Sequence, residues 1–254
     1  MEKMLDLEII GEGATTKIYR DGDKALKLYI NAPLRQVENE AMLQSYAAKM
    51  GLPVPLVYGV RKIDEIMTAL EMEHISGKPL MHEKMATNER HAAIQTLVKL
   101  QCLVHSVSAD GLPKQSDRIK MRIENNSGFD ITVKENLLAQ HEKLDTASVN
   151  LCHGDFHPLN IMFDGKKHWI IDWVDATMGN TLADACRTYV IFKQYLSRLS
   201  GIYLRYFCEE ARVAQEDIFA WLPVIAAVRM AENMDDRARA VLVKIIDDWK
   251  AEIG

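Results

Sequence analysis

The sequence predicts an α+β protein that begins with a small antiparallel sheet carrying one helix and continues into a larger, mainly helical part. In the first 75 residues, short apolar runs alternate with glycine-containing turns, a pattern typical of hairpins. Further along, apolar residues recur at three- and four-residue spacing, which is typical of helices. We therefore predict an N-terminal lobe over residues 1–75 and a C-terminal lobe over residues 76–254.

Composition excludes several classes of protein. With a formal net charge of −5 at pH 7, the 254-residue chain lacks the basic surplus of a nucleic-acid binder. No apolar run approaches the length of a membrane span, and Met1-Glu2-Lys3 opens no signal peptide. The four cysteines have no C-x-x-C spacing, so neither a zinc site nor a disulfide scaffold is expected. We expect a cytoplasmic protein without membrane association and without an obligate protein partner.

The N-terminal lobe is predicted to contain five strands and one helix. The strands are expected at Leu5–Ile10, Thr15–Tyr19, Ala25–Tyr29, Leu56–Val60 and Glu65–Met72, and the helix at Pro33–Lys49. Gly11 and Gly13 lie in the tight turn expected between the first two strands. Two glycines at a hairpin tip let the backbone approach a phosphate closely, although hairpin tips also use glycine for the turn alone.

A lysine and a glutamate of this lobe are predicted to pair. Lys27 faces opposite to its leucine neighbours by strand alternation, so it is either a solvated lysine or a phosphate-binding one. Glu40 lies on the apolar face of the predicted helix and therefore needs a buried cation, for which Lys27 is the candidate. Glu38 is a competing partner for Lys27, but it lies off the apolar stripe.

The C-terminal lobe is predicted to be helical on both sides of one hairpin. A helix is expected from Thr87, as its N-cap, to about Ser106, and a polar helical insertion with a loop at residues 125–128 is expected over residues 120–144. Residues 181–254 are predicted to be almost wholly helical, with Gly201 as a break and Pro223 near a helix start or at a kink.

The hairpin lies between these helical parts. The runs Ile161–Phe163 and His168–Ile171 are separated by a four-residue turn that contains glycine. If Phe163 pairs with His168, Asn160 lies opposite Ile171 and one step from Asp172. Asp155 precedes the hairpin on a polar loop beside these two residues.

The residue types at this hairpin suit phosphoryl transfer. An amide oxygen and a carboxylate are the hard oxygen ligands that suit Mg²⁺ holding a polyphosphate. An aspartate followed five residues later by asparagine, with a second aspartate at a strand end, is the arrangement of kinase-type transfer. The alternative is a polar loop whose Asp155 and Asn160 merely cap turns, but capping alone does not require His-Gly-Asp together with a returning carboxylate.

The same residues resemble the aminoglycoside phosphotransferase family, which includes choline, fructosamine and homoserine kinase-like members. The matching text is His153-Gly154-Asp155-x-His157-x-x-Asn160, Ile171-Asp172-Trp173, and Gly179-Asn180 followed by Asp184. The resemblance implies a two-lobed protein-kinase-like fold, with ATP (or alternatively GTP) and Mg²⁺ bound between the lobes, and a small-molecule hydroxyl as the phosphate acceptor.

The resemblance also assigns roles to individual residues. It implies that Asp155 is the catalytic aspartate and that Asn160 and Asp172 bind the metal. It implies that Asp184 holds the catalytic loop. The nucleotide would be bound through the Gly11–Gly13 loop, Lys27 fixed by Glu40, the Glu73 carbonyl and the Ile75 amide. His153 and His157 are expected to be structural, with an approach to the phosphates as the alternative for His157.

The acceptor stays open at this point. It could be aminoglycoside-like, an amino alcohol or a sugar, and a choline- or ethanolamine-type kinase is the alternative. A protein kinase fits less well, because no glycine follows Asp172-Trp173 and no Ala-Pro-Glu segment follows later. A nucleotide-binding module without turnover is a further alternative. Late carboxylates could attract a cationic acceptor or could simply be the solvated sides of helices; these are Glu209, Glu210, Glu232, Asp235, Asp236, Asp247 and Asp248.

Overall fold

The computed structural model describes residues 7–13, 16–144 and 148–253. In chain order the strands are β1 (Glu8–Glu12), β2 (Thr16–Asp21), β3 (Lys24–Ile30), β4 (Val57–Lys62), β5 (Met67–Glu73), β6 (Lys78–Pro79), β7 (Asn150–Cys152), β8 (Ile161–Phe163), β9 (His168–Ile170) and β10 (Thr177–Gly179). The helices are α1 (Leu34–Lys49), α2 (Thr87–His105), α3 (Gln115–Glu124), α4 (Ile131–Leu144), α5 (Thr181–Tyr195), α6 (Ser197–Ala211), α7 (Gln215–Phe219), α8 (Leu222–Arg229) and α9 (Asp236–Ile253). The predicted α+β class is confirmed.

The chain divides into two compact units that are not continuous in sequence. The first unit combines residues 1–80 with 159–175, and the second combines residues 81–158 with 176–254. The division therefore falls after Leu80, and the β8–β9 hairpin groups with the N-terminal strands. The boundary between residues 75 and 76 stays a prediction.

The first unit is built on a five-stranded antiparallel sheet in the order β1-β2-β3-β5-β4. A two-residue turn joins β2 to β3, and Gly22 occupies it with a φ of 64°, which favours glycine. Residues 25–29 of the central strand β3 are all buried, so both of its faces are covered and strand alternation leaves no solvated side. A core of Tyr29, Val37 and Leu70 joins α1 to this sheet.

A second, three-stranded sheet completes the first unit. Its order is β6-β8-β9, and Phe163 pairs with His168 as the turn length predicts. In the turn, Gly165 has a φ of 92°, and the Asp164 carboxylate accepts the amides of Lys166 and Lys167. The Trp169 indole donates to the same carboxylate at 2.7 Å. These bonds fix the hairpin that carries Asn160 and Asp172.

The second unit is mainly helical and contains one small antiparallel sheet, in which β7 pairs with β10. Helix α5 begins at an Asn180 cap, whose side chain accepts from the Leu182 amide at 2.9 Å. The predicted cap of α2 was one residue late, because Ala86 occupies that position and its amide donates to Glu89. None of the helices in the described part of the chain is both long and apolar enough to cross a membrane.

The prediction that Gly201 breaks a helix is wrong. Gly201 lies inside α6, where its backbone is helical and its position is exposed to solvent. Glycine lowers helix stability by an amount that tertiary packing of the neighbouring apolar face readily offsets. Pro223, in contrast, occupies the first turn of α8, where proline is well tolerated.

Candidate functional site

The centre of the first unit is a buried lysine between two carboxylates. Lys27 projects from β3, and its Nζ donates to Glu40 Oε1 at 2.7 Å and to Asp172 Oδ1 at 2.8 Å. Glu40 is 1% exposed, and the hydroxyl of Tyr29 donates to its other oxygen. The structure thus brings Lys27, Glu40 and Asp172 together from a strand, a helix and the end of the hairpin.

The electrostatics of this group keep the lysine charged. Burial by itself lowers the pKa of Lys27, but the adjacent carboxylates of Asp172 and Glu40 outweigh it and raise that pKa above its ordinary value. Burial also raises the pKa of Tyr29, which keeps its hydroxyl as a donor. Lys27 is therefore a cation held in place between Glu40 and Asp172.

The hairpin aligns the two residues that could hold a metal. The Ile171 amide donates to the Asn160 carbonyl at 2.9 Å, so Asn160 lies opposite Ile171 and one position from Asp172. Asp172 has a φ of 66°, a left-handed conformation that is uncommon outside glycine and often accompanies functional sites. Its side chain is 39% exposed, whereas Asn160 is buried.

The side-chain oxygens of Asn160 and Asp172 provide part of the ligand set that Mg²⁺ requires. Lys27 occupies one oxygen of Asp172, and among the described residues no donor hydrogen-bonds to the second oxygen. The same residues contain no group of three His, Cys, Asp or Glu that could hold a metal. Mg²⁺ typically binds through one or two protein oxygens plus phosphates and water. Asn160 and Asp172 therefore match a site in which a nucleotide supplies the remaining oxygens.

The centre of the second unit is Asp155, on the loop that follows β7. The His157 Nε2 lies 3.2 Å from Asp155 Oδ2, while Arg187 and Arg229 approach Oδ1 at 3.4 and 4.0 Å. Burial alone raises the pKa of Asp155, but these three neighbours outweigh it and hold that pKa well below its usual range. Asp155 is accordingly an ionised acceptor of hydrogen bonds, with 28% of its side chain exposed.

A buried aspartate anchors the loop that carries Asp155. Asp184 is 2% exposed, and it accepts the Gly154 amide at 2.8 Å on one oxygen and lies 2.8 Å from His105 Nε2 on the other. Gly154 has a φ of 82°, so the turn needs glycine. The Asp155 amide donates to His153 Nδ1 at 3.2 Å. These contacts fix the backbone from which Asp155 projects.

Sequence reasoning missed the arginines beside Asp155. Arg187 lies on α5 and Arg229 at the end of α8, and both contact Glu232 as well, at 2.7 and 3.1 Å. One signal was available, since α8 is almost wholly apolar and buried and an arginine ending it needs a carboxylate partner. Glu232, one of the late carboxylates considered for a cationic acceptor, is the shared partner of Arg122, Arg187 and Arg229, and a role toward an acceptor stays a prediction.

The residues that were predicted to cover the phosphates and to bind adenine also belong to the first unit. Gly11 is a strand residue of β1 opposite Ile18, not part of the turn, because a register shift after Ile9 extends the pairing. Gly13 follows β1 and donates its amide to the Thr16 carbonyl, while Ala14 of the predicted turn and Thr15 of the predicted second strand lie outside the described residues. Glu73 ends β5, and Ile75 lies in the segment after it. Their nucleotide contacts stay predictions.

Comparison with known proteins gives a consistent match. The family model described as the phosphotransferase enzyme family matches residues 6–219. No curated protein matches the sequence significantly. The solved structure of a thermostable mutant of aminoglycoside phosphotransferase APH(4)-Ia, in its apo form, has a TM-score of 0.71 at 18% identity. That comparison covers 98% of this chain and 99% of the other.

Two further solved structures show the same fold. A ternary complex of the thermostable APH(4)-Ia mutant with AMP-PNP and hygromycin B has a TM-score of 0.69 at 17% identity, covering 96% of this chain and 94% of that one. An aminoglycoside-3'-phosphotransferase of type VIII has a TM-score of 0.60 at 18% identity, covering 98% of both chains. At such identities the likeness shows a shared fold, and it confirms the predicted kinase-like architecture.

Proposed function

This chain belongs to the phosphotransferase enzyme family, and we propose that it transfers the γ-phosphate of ATP to a hydroxyl of a small molecule with the help of Mg²⁺. The family membership confirms the predicted resemblance and the predicted enzyme class. The observation that carries the proposal is Lys27, a buried cation held between Glu40 and Asp172. A lysine and glutamate pair of this kind is what kinase-type enzymes use to bind the α- and β-phosphates.

The proposed nucleotide contacts follow from the first unit. Lys27 would orient the α- and β-phosphates while Glu40 fixes its position. Asn160 and Asp172 would hold Mg²⁺, which would offset the negative charge that develops on the phosphate oxygens. Gly11, Gly13, Glu73 and Ile75 are the further proposed contacts, to the phosphates and to the adenine edge. ATP is the nucleotide we favour, and GTP is the alternative.

Asp155 has the properties required of the residue that faces the acceptor. Because its pKa is lowered, Asp155 is an ionised but weakly basic carboxylate before the reaction. Its first role is therefore to accept a hydrogen bond from the acceptor hydroxyl and to orient that hydroxyl. Phosphoryl transfer in kinases passes through a loose transition state, in which little proton removal is needed early. The acceptor proton would move to Asp155 as the acceptor oxygen bonds to the γ-phosphorus and the bond from that phosphorus to the departing ADP oxygen breaks.

The acceptor is proposed to be a small molecule rather than a protein. The similar solved structures include a complex of another phosphotransferase with AMP-PNP and hygromycin B, which supports a nucleotide and a small hydroxylated acceptor. An Ala-Pro-Glu segment, part of the protein-kinase signature, is lacking in the sequence. We expect the enzyme in the cytoplasm, where ATP is available.

Release of ADP tests the proposal directly. A panel of aminoglycosides, choline, ethanolamine, amino alcohols and sugars is compared with a peptide pool, with Mg²⁺-ATP and Mg²⁺-GTP in parallel. ADP release that depends on a small alcohol supports the proposal, and release that depends only on peptides contradicts it. Binding of Mg²⁺-ATP with no turnover on any acceptor would favour a nucleotide-binding module.

Two variants separate the proposed roles. Asp155→Asn should lower turnover by about 10²–10⁴-fold, the usual contribution of such a group, and leave nucleotide affinity unchanged. Asp172→Ala should instead remove the Mg²⁺-dependent part of nucleotide affinity. Asp248→Asn, a substitution on the exposed side of α9, is the charge-matched control and should change neither quantity. Full activity in Asp155→Asn would refute its assignment.

A further inference from the structure

The loop that carries Asp155 is held on both sides by one helix. Before Asp155, the Gly154 amide donates to Asp184 Oδ1 at 2.8 Å. After it, the Thr188 hydroxyl donates to the Phe156 carbonyl at 2.9 Å. Asp184 and Thr188 are four residues apart on α5 and therefore share one face of that helix. The peptide groups on both sides of Asp155 are thus attached to the same helix.

The Thr188 hydroxyl lies near two carbonyls but has only one proton to donate. Its oxygen is 2.9 Å from the Phe156 carbonyl and 3.3 Å from the Asp184 carbonyl. The second contact is the bond to the residue four positions back that a threonine inside a helix often makes. Because the contact with Phe156 is the shorter one, Thr188 ties the loop to α5 rather than bonding along the helix.

A buried glutamine of α2 holds the Thr188 hydroxyl from the other side. Gln101 Nε2 donates to Thr188 Oγ1 at 3.0 Å and lies 3.4 Å from Asp184 Oδ2. At the other end of the amide, the Tyr203 hydroxyl of α6 donates to Gln101 Oε1 at 2.8 Å. Burial raises the pKa of Tyr203 well above its ordinary value, so its hydroxyl stays protonated. Gln101, Thr188 and Tyr203 are each 0% exposed, so these bonds are shielded from water.

The charge of Asp184 sets the direction of this chain of hydrogen bonds. Burial by itself raises the pKa of Asp184, but the hydrogen bond with His105 and its other neighbours outweigh burial and lower that pKa. The carboxylate is therefore ionised and can only accept, so the nitrogen end of the Gln101 amide must face it. Thr188 then accepts from Gln101, and its own proton points to the Phe156 carbonyl.

We propose that Thr188 is a positioning residue for Asp155 and acts through the Phe156 carbonyl. Gln101 and Tyr203 keep the Thr188 hydroxyl in its donor orientation. A satisfied buried network adds little net stability over apolar side chains of the same shape, but its bonds are directional, so its contribution is orientation. The inference rests on the proposed function, in which Asp155 faces the acceptor hydroxyl.

Removal of one hydroxyl from the full-length protein tests the inference. Thr188→Val keeps the shape of the side chain and removes its bond to the loop. ADP release is measured with Mg²⁺-ATP and whichever aminoglycoside, choline, ethanolamine or sugar of the panel gives the fastest release. We expect kcat to fall by about ten- to a hundredfold, the range for a small misplacement of a reacting group, while KM for ATP is unchanged.

Three further variants separate positioning from a general loss of structure. Thr188→Ser retains the hydroxyl and should restore most of the turnover. Ser200→Ala removes a buried hydroxyl that donates to the Ser197 carbonyl of α6, and this matched control should leave kcat unchanged. Thr188→Val added to Asp155→Asn should cause no further loss, because a positioning residue has no effect once the residue it positions is disabled.

Hydrogen exchange reports on the loop without any ligand. The Gly154 and Asp155 amides are both hydrogen-bonded, so their exchange requires the loop to open. Mass spectrometry of a peptide that spans residues 152–160 follows this opening. Thr188→Val should speed the exchange by about tenfold, which corresponds to the loss of one hydrogen bond. Thr188→Ser and Ser200→Ala should exchange like the wild-type protein.

Tyr203→Phe tests the far end of the chain of hydrogen bonds and replaces Thr188→Val if that variant does not fold. It keeps the ring, which stacks on Phe192 with the centroids 5.2 Å apart, and removes only the donor to Gln101. We expect slower turnover and faster exchange, by smaller factors than for Thr188→Val, because Thr188 itself is retained. Wild-type turnover and exchange in Tyr203→Phe would contradict the proposed role of the chain.

The other outcomes are also decisive. Full turnover or unchanged exchange in Thr188→Val would overturn the inference. An equal loss in Ser200→Ala, no recovery in Thr188→Ser, or a further loss on top of Asp155→Asn would do the same. If the wild-type protein releases no ADP with any acceptor, the proposed function fails. Loop exchange that is faster in Thr188→Val and restored in Thr188→Ser would then still support the hold of Thr188 on the loop, and unchanged exchange would overturn it.

Discussion

Lys27 is the residue on which the proposed nucleotide site depends, and the stability of the fold depends on it as well. Its removal leaves Glu40 buried at 1% exposure without its cation. We predict that Lys27→Met lowers the free energy of unfolding by about 3–5 kcal/mol, the usual cost of breaking a buried pair from one side. Urea unfolding at pH 7 measures this loss.

Two further variants show whether the loss comes from the uncompensated charge. Adding Glu40→Leu to Lys27→Met removes both charges and should recover part of the stability. Lys24 lies on the same strand, and its ion pair with Glu71 is partly exposed to solvent. Lys24→Met should therefore lower the free energy of unfolding by less than about 1 kcal/mol. Equal losses in the Lys24 and Lys27 variants would contradict the account.

Asp184 should make stability fall in acid. Burial alone raises the pKa of Asp184, but the bonds to His105 and to the Gly154 amide outweigh it, so the pKa in the folded state is lowered. A lowered pKa contributes stability that is complete above the unfolded value, about 3.9, and is lost as pH falls through the folded value. We predict that Asp184→Asn is less stable than wild type at pH 7, by roughly 1–3 kcal/mol.

Measurements at acid pH distinguish loss of the Asp184 charge from a destabilisation by Asp184→Asn that does not depend on charge. The stability difference between wild type and Asp184→Asn should shrink as urea unfolding is repeated from pH 5 down to pH 3, because only the wild type loses the ionised carboxylate. Asp247→Asn, at an exposed position of α9, should show a small difference that does not depend on pH. A constant gap for Asp184→Asn would indicate that its charge does not matter.

At the scale of residues, the sequence predicts pairs whose members lie on regular periodic elements. Helical spacing turns Glu40 inward and strand position presents Lys27, so their meeting follows from periodicity. The hairpin register similarly fixes Asn160 next to Asp172. The arginines beside Asp155 come from separate helices, and only tertiary packing decides that α3, α5 and α8 bring Arg122, Arg187 and Arg229 to one carboxylate.

At the scale of elements, Gly201 in α6 is a position where a substitution should stabilise the protein. The position is helical and exposed, and a Cβ added there meets nothing within 4 Å. We predict that Gly201→Ala raises the free energy of unfolding by about 0.5–1 kcal/mol, because alanine restricts the unfolded chain and favours the helix. Urea unfolding and the melting temperature measure the gain.

Gly179 provides the contrasting control. A Cβ there would clash with the Cβ of Gln115, whose side-chain oxygen accepts the Asn180 amide at 3.0 Å. Gly179→Ala should therefore destabilise the protein and disturb the start of α5. If both alanine variants shift stability in the same direction, the space around each glycine is not what decides the effect.

The two glycines also show why element boundaries were only partly predictable. A glycine inside an apolar helical pattern reads as a break, but the buried stripe of α6, including Leu204 and Phe207, stabilises the helix across it. The seven strands that were predicted lie within about three residues of their observed positions, since alternation and turns determine them locally. The short strands β6, β7 and β10 were not predicted. The burial of both faces of β3 was missed, because it depends on what packs over the sheet.

At the scale of the whole molecule, the first unit is assembled from two separated parts of the chain. The Leu80 amide donates to the Ile161 carbonyl, and the Ile170 amide donates to Pro53, so the hairpin is hydrogen-bonded into the N-terminal part. Local patterns predicted the hairpin itself, but they placed it in the C-terminal lobe. Its grouping with residues 1–80 depends on pairing across about 80 residues of sequence, which no local pattern contains.

This arrangement predicts how fragments of the protein behave. A fragment of residues 1–80 lacks the partner of β6 and leaves the Pro53 carbonyl without its donor, so it should be largely unfolded. The same fragment joined through a flexible Gly/Ser linker to residues 159–175 regains both contacts and should fold. Circular dichroism and urea unfolding compare the two fragments, and fluorescence of Trp169 and Trp173 reports hairpin docking in the joined fragment. If the fragment of residues 1–80 alone unfolds cooperatively and is as stable as the joined fragment, the hairpin is dispensable for folding of the first unit.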